Sequence, residues 1–119
     1  MAGLDPAICG QLAKRAREKS NLLMGGWVYM MTNRRGGALY IGVTGNLPRR
    51  VWERREGVSE GFTHRYGLTI LAWAEHHDGI LSAIQREKNI KHWPRAWKVA
   101  LIEAQNPEWE DLYEQIVGL

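Results

Sequence analysis

The chain has 119 residues, 45% of them hydrophobic, and a net charge of +3. That length suits one domain with a modest core, and the hydrophobic content excludes a disordered chain. A single cysteine, Cys9, excludes an intramolecular disulfide and a cysteine-based zinc site, and no run approaches the roughly 18 apolar residues of a membrane span.

Residues 1–25 read as an N-terminal appendage to a domain at 26–119. Asp5-Pro6 could cap a short helix carrying Ile8, Leu12 and Ala16 on one side. The segment could dock on the core, offer Lys14, Arg15, Arg17 and Lys19 to nucleic acid, or come from a start codon upstream of Met24. It lacks the continuous apolar core of a signal peptide. Gly25-Gly26 then breaks the chain.

Trp27–Thr32 is predicted as a strand, with Trp27, Tyr29 and Met31 on one face and Val28 and Met30 on the other. Asn33-Arg34-Arg35-Gly36-Gly37 is a turn, and Leu39–Thr44 returns to complete a hairpin. Placing Asn33 opposite Gly36 puts Tyr29 opposite Tyr40. Asn46-Leu47-Pro48 opens a helix that runs to about Glu56 and stops at Gly57. Leu47, Val51 and Trp52 face inward, while Arg50 and Arg54, four apart, point the same way.

Residues 57–67 form a polar loop with Phe62 and Tyr66 as anchors. Leu68–Glu75 is the third and most apolar strand, expected to be central or well covered. His76-His77-Asp78-Gly79 reads as a turn with an Asp cap. Ile80–His92 is a helix. At about 100° per residue, Glu87 falls within about 20° of Ile80, on the core-facing side. A carboxylate there needs a cation, a metal or several donors. Trp97, Leu101 and Ala104 make the stripe of a helix over Arg95–Gln105. Asn106-Pro107 is read as cap and first turn of a last helix, with Trp109, Leu112, Tyr113 and Ile116 buried.

Charge is unevenly spread. Residues 27–66 hold seven Arg and three acids, a net +4, and residues 103–119 hold five acids and no Lys or Arg, a net −5. One end reads as basic and the other as acidic. A concentrated arginine patch suits a polyanion, nucleic acid first, although a solvated basic surface gives the same signal.

Tyr29, Tyr40, Gly42, Arg50, Arg54 and Glu87 stand out as a set. Tyrosines can move a proton, arginines can fork onto phosphate oxygens, and one carboxylate with substrate phosphates can hold Mg²⁺. These are the parts of metal-assisted phosphodiester hydrolysis. Each also has an ordinary reading: strand tyrosines pack, helix arginines are solvated, and a core-facing Glu can pair with an Arg. His76, His77 and His92 read as surface residues, and His64 could reach phosphate. Cys9 has no base beside it and reads as inert.

The order Trp27-Val28-Tyr29, Tyr40-Ile41-Gly42 and Thr44-Gly45-Asn46-Leu47-Pro48-Arg49-Arg50 resembles the GIY-YIG nuclease domain. The similarity is greatest to small stand-alone bacterial proteins of that superfamily, which share the pattern at Arg86-Glu87-Lys88, Ile90-Lys91 and Trp93. They also share the stretches Trp97–Ile102 and Asn106–Trp109. The superfamily also includes homing endonucleases, restriction enzymes and an excision-repair subunit, so DNA repair or recombination is the implied setting. The resemblance covers about residues 26–116.

It implies an α+β fold, a small three-stranded antiparallel sheet flanked by helices. It also implies roles. Tyr29 is the general base, Tyr40 lies near the phosphate, Gly42 permits close backbone approach, Arg50 steadies the phosphate, and Glu87 binds Mg²⁺ or Mn²⁺. Two positions depart from the pattern. Trp-Val-Tyr stands for Gly-Ile-Tyr, with the tyrosine kept. Arg54 stands where the family usually has His or Tyr. A histidine there can accept a proton from the base tyrosine, and arginine cannot. Arg54 could instead favour tyrosinate or bind phosphate.

The expectation is therefore a metal-dependent DNA endonuclease, structure-directed or weakly specific, with Tyr29, Tyr40, Arg50, Arg54 and Glu87 at its centre. Gly42, Thr44, Arg49, Arg55, His64, Lys88 and Lys91 are the expected substrate contacts. The alternative is a catalytically impaired nucleic-acid-binding module; an interaction protein using its Trp-rich and acidic C-terminal surface is a third reading. Branched or single-stranded DNA is the expected partner, with no membrane and no small-molecule cofactor. The disulfide-free composition suits a reducing, cytoplasmic setting.

Overall fold

The computed structural model describes residues 25–57 and 67–117. Readings that fall on Cys9, the N-terminal basic cluster, Phe62, His64 and Tyr66 lie outside these residues.

Three antiparallel strands, β1 (Gly26–Thr32), β2 (Leu39–Thr44) and β3 (Ile70–His77), form a sheet in the order β2-β1-β3. Helix α1 (Leu47–Arg55) follows the hairpin, α2 (Ile80–Lys91) and α3 (Arg95–Gln105) follow the sheet, and α4 (Tyr113–Val117) ends the described chain. Among the described residues no helix is long and apolar enough to cross a membrane. The fold is the expected α+β arrangement.

The period of two in β1 sorts its side chains into two cores. Trp27, Tyr29 and Met31 pack with Leu47, Val51, Leu68, Leu71, Leu112 and Ile116. Val28 and Met30 pack with Ile41, Ala72, Trp73, Ala83, Ile90, Ile102 and Trp109. Both faces being covered, every residue of β1 is buried, and β1 rather than β3 is central. β3 is an edge strand by pairing, yet Leu71–Ala74 are buried because both cores continue over it.

The hairpin register differs from expectation by two residues. Tyr29 pairs with Gly42, and Tyr40 pairs with Met31. The cause is a longer loop. Asn33 Oδ1 accepts from Ala38 N–H at 3.1 Å and Gly37 N–H donates to Arg34 C=O at 2.9 Å, so residues 33–38 all lie between the last paired residues, Thr32 and Leu39. A shift by two keeps both tyrosines on one face, and their rings sit 6.2 Å apart.

Four further expectations are corrected. Trp52 is 48% exposed, because α1 meets the core along Leu47 and Val51 and the next residue is turned about 100° away. Trp97 is 59% exposed and Ala104 is also outward, because α3 buries Ile102 with Val99 and Leu101 in support. His76 and His77 belong to β3, not to a turn. His76 packs edge-on against Trp27 with ring centroids 4.8 Å apart, and the cap of α2 is Gly79, with no side-chain bond. His77 bridges Glu75 and Ser82, each at 2.8 Å.

Asn106-Pro107 does not begin a helix. Asn106 is fully buried: its amide donates to Ala72 C=O and Glu110 C=O, both at 2.9 Å, and its Oδ1 accepts from Glu110 N–H at 3.0 Å. Trp109 follows with φ 56°, and the chain then crosses the β3 edge, so that Trp109 enters one core and Leu112 the other. Leu112 N–H donates to Leu71 C=O at 2.8 Å, and Asp111 accepts from Leu71 N–H at 3.1 Å. Residues 106–112 therefore cover the outer edge of β3, which blunts it against strand addition. Among the described residues no strand pairs with the outer edge of β2.

Candidate nuclease site at the β2 edge

Tyr29 is 1% exposed, yet its hydroxyl reaches the space beside Gly42. A Cβ on Gly42 would lie 2.5 Å from Tyr29 Oη and 2.6 Å from Cζ. Gly42 thus permits a close approach, and the group that makes it is the Tyr29 ring. Gly42→Ala is expected to lower stability by about 1–3 kcal/mol, the range for overpacking a closed core. Cutting the ring back with Tyr29→Leu should remove most of that penalty. Thermal melts of the two single variants and the double variant measure the coupling. Additive melting shifts would show that the ring and Gly42 do not compete for this space.

Tyr40 stands two residues earlier on the same strand face. Its hydroxyl accepts from Arg54 Nη2 at 2.8 Å, and the guanidinium carbon lies 4.8 Å from the ring centre. The i, i+4 spacing on α1 aims Arg50 and Arg54 along one side of the helix. Arg54 Nε is buried with no partner among the described residues, an unused donor within the cluster. Arg50 contacts Glu53 at 3.5 Å, and Arg49 contacts the same carboxylate at 3.6 Å.

Burial pushes the Tyr29 phenol from 10 up to about 12, and the neighbouring Tyr40 pushes the same way. Arg54, by its charge and a hydrogen bond, and Arg50, by its charge, pull it down without overcoming burial. Arg54 therefore favours tyrosinate in direction, as expected, but burial outweighs it and the phenol is protonated at neutral pH.

Beside this cluster a pocket of about 250 Å³ is lined by Thr44, Asn46, Arg49, Arg50 and Glu53. Asn46 caps α1, its Oδ1 accepting from Arg49 N–H at 3.3 Å, and Thr44 Oγ1 accepts from Asn46 N–H at 3.1 Å. The pocket opens where the α1 N-terminus and two guanidiniums combine, a setting suited to an anion. The sequence reading of Asn46 as the helix cap holds but does not place it in the pocket, and Glu53 is not singled out there, although its i, i+4 spacing from Arg49 is a readable signal.

Glu87 lies on α2 in line with the buried Ala83 and Ile90, as its helical angle predicts, and its side chain is 13% exposed. It pairs with Lys91 at 3.2 Å, whose side chain is 50% exposed. α2, however, packs on the Val28–Met30–Ile41 face, opposite the tyrosines. The expected convergence of Arg and Glu on one tyrosine face is corrected: they flank β2 from its two sides. Among the described residues no three His, Cys, Asp or Glu side chains gather as a metal site.

The remaining expected contacts divide. Thr44 and Arg49 line the pocket, and Lys88 and Lys91 lie exposed on α2. Arg55 is held within the fold. It donates to Thr69 C=O at 3.1 Å, pairs with Asp111, and lies 4.4 Å over the Tyr113 ring. Arg35 pairs with Glu108 at 3.1 Å. The acidic C-terminal segment thus folds back on part of the basic one, so the two-ended charge reading is also corrected. Asp111, which joins α1, β3 and the entry to α4, carried no sequence signal beyond its position two residues before Tyr113.

A family model described as the GIY-YIG catalytic domain matches residues 25–100. The solution NMR structure of the UPF0213 protein BH0048 from Bacillus halodurans is similar at 23% identity and a TM-score of 0.48, covering 76% of this chain and 96% of that one. No curated protein matches the chain.

Proposed function

The chain belongs to the GIY-YIG family, and from that premise we propose that it is a metal-dependent DNA endonuclease hydrolysing phosphodiester bonds. The nuclease-like domain spans 26–119, and 1–25 is an appendage to it. The carrying observation is the Tyr29 hydroxyl seated at Gly42 beside Tyr40 and Arg54, with the Arg50 pocket next to it. The scissile phosphate lies along the open edge of β2, with Arg50 and Arg54 reaching it from one face and Glu87 from the other.

Arg50 and the α1 N-terminus bind the phosphate and steady the charge that develops on it. The tyrosinate form of Tyr29, a small fraction at neutral pH, takes the proton of the attacking water, and Tyr40 orients the Arg54 guanidinium. Glu87 would hold Mg²⁺ or Mn²⁺, which supplies Lewis-acid stabilisation of the phosphoryl oxygens when bound. A domain of this size reads little sequence by itself, so its recognition falls on structure (branches, flaps, single strands) in repair or recombination, in the cytoplasm.

A second reading, a binding module with little cleavage, draws on two observations. Tyr29 holds its proton to about 12. Arg54, unlike histidine, cannot accept one. The deciding experiment assays cleavage of labelled branched, single-stranded and duplex DNA with Mg²⁺ or Mn²⁺ from pH 6 to 10, in wild type and Arg54→His. The expected wild-type activity climbs towards pH 10, and Arg54→His is expected to cut faster at pH 7, where imidazole can take the proton. Cutting by Arg54→His alone would favour the binding module, and no cutting by either on any substrate would sink the endonuclease reading.

A further inference from the structure

Trp97 is the largest exposed aromatic surface on α3, on a helix that already buries Ile102 without it. Its ring meets Trp93 edge-on, with centroids 6.0 Å apart and planes at 71°. An edge contact braces the ring and leaves ring surface open. Trp93 is held in turn by Arg86, whose guanidinium carbon lies 5.2 Å from its ring centre, and Arg86 is anchored on Glu75 at 3.0 Å. Lys98 donates to Lys91 C=O at 3.3 Å, and Lys91 pairs with Glu87 at 3.2 Å. A continuous run of contacts therefore joins Trp97's neighbour Lys98 to the candidate metal-binding carboxylate.

Residues 86–98 carry five cations, Arg86, Lys88, Lys91, Arg95 and Lys98, against Glu87, and with Glu75, which pairs with Arg86 from β3, the local balance is +3. An exposed aromatic surface beside a basic segment matches one chemistry in particular. Unpaired nucleotides present a π-face to stack and a phosphate to neutralise, whereas bases in a duplex are already stacked on each other. A purely apolar protein partner seated on Trp97 would leave the surplus charge without a counterpart.

We propose that Trp97, braced by Trp93 and followed by Lys98 on the same helix, is a stacking platform for an unpaired base of the DNA strand whose scissile phosphate lies near Glu87. The proposal rests on the nuclease reading for the identity of the strand, and it makes single-stranded DNA next to a junction the preferred substrate.

The test measures fluorescence anisotropy of labelled oligothymidylate, an abasic strand of equal length and a blunt duplex, with the full chain in EDTA so that nothing is cut. Trp97→Ala is expected to weaken oligothymidylate binding roughly 5- to 150-fold, the span for one stacked base, and Trp97→Phe to restore most of it. The abasic strand and the duplex should bind wild type and Trp97→Ala alike. Lys98→Ala should flatten the salt dependence by about 0.7 in slope on both single strands, as for one lost phosphate contact. Equal oligothymidylate binding by wild type and Trp97→Ala would overturn the platform. So would a wild-type dimer in sedimentation that Trp97→Ala converts to monomer with binding unchanged. If no substrate is ever cleaved but the base-dependent loss is seen, the platform stands and the endonuclease reading alone falls.

Discussion

Tyr29→Phe is expected to slow metal-dependent cleavage by about 10²- to 10⁴-fold, the contribution of a positioned general base. The change removes one oxygen and keeps the ring over Gly42, so the seat is preserved. Because burial holds the phenol near 12, little tyrosinate exists at neutral pH. The wild-type rate should therefore rise close to tenfold per pH unit between about 7 and 10. Tyr29→Phe should lose that slope. Arg54→His should replace it with a plateau once imidazole is neutral. A Tyr29→Phe variant that cuts within threefold of wild type would remove this tyrosine from the chemistry.

The same burial has a stability counterpart. The folded-state pKa lies above the unfolded value of 10, and the protonated form is the neutral one. Below pH 10 both states hold the proton and the contribution is complete. As pH rises from 10 towards 12, the unfolded chain ionises first and the contribution drains away. Two units correspond to about 3 kcal/mol. Urea melts from pH 8 to 11.5 should show wild type losing more stability than Tyr29→Phe over the upper part of that window, the other lysines and tyrosines being common to both.

Much of the site was legible because it rests on short-range geometry. The alternation of β1 and β2 put Tyr29, Tyr40 and Gly42 on one face whatever the loop length, since the true register differs by two residues, an even number. Helical spacing placed Glu87 beside Ala83 and Ile90 for the same reason. What was not legible depends on contacts between distant segments. Nothing local in Asn106-Pro107 distinguishes a helix cap from a buried clasp on Ala72, because only β3's edge supplies the carbonyl. Arg55 looks like any arginine of the basic patch until Asp111 and Tyr113 arrive from the far end of the chain. Trp97 reads as core in a helical stripe, and only the position of Ile102 against the sheet turns it outward. The placement of Glu87 on the face opposite the tyrosines has this origin too: sequence gives a helix its apolar side, while the sheet face it covers follows from the connection that leads into it.

That placement makes Glu87 the sharpest test of the site. A purely structural Glu87 would be one half of an i, i+4 pair with a half-exposed Lys91, worth about 0.3–0.5 kcal/mol. Glu87→Gln keeps the shape and loses the charge, so the melting temperature should move little. Cleavage in Mg²⁺ should fall by about 10³-fold or more, in keeping with the several kcal/mol that a bound metal gives a developing phosphoryl charge. Binding of uncut DNA in EDTA should stay level or tighten, because one negative charge beside a polyanion has gone. These outcomes belong together. A structural role would leave both stability and activity close to wild type; a metal ligand loses activity alone. If Glu87→Gln cuts as wild type does, phosphate contacts on the tyrosine face suffice without it, and α2 serves only to cover the sheet.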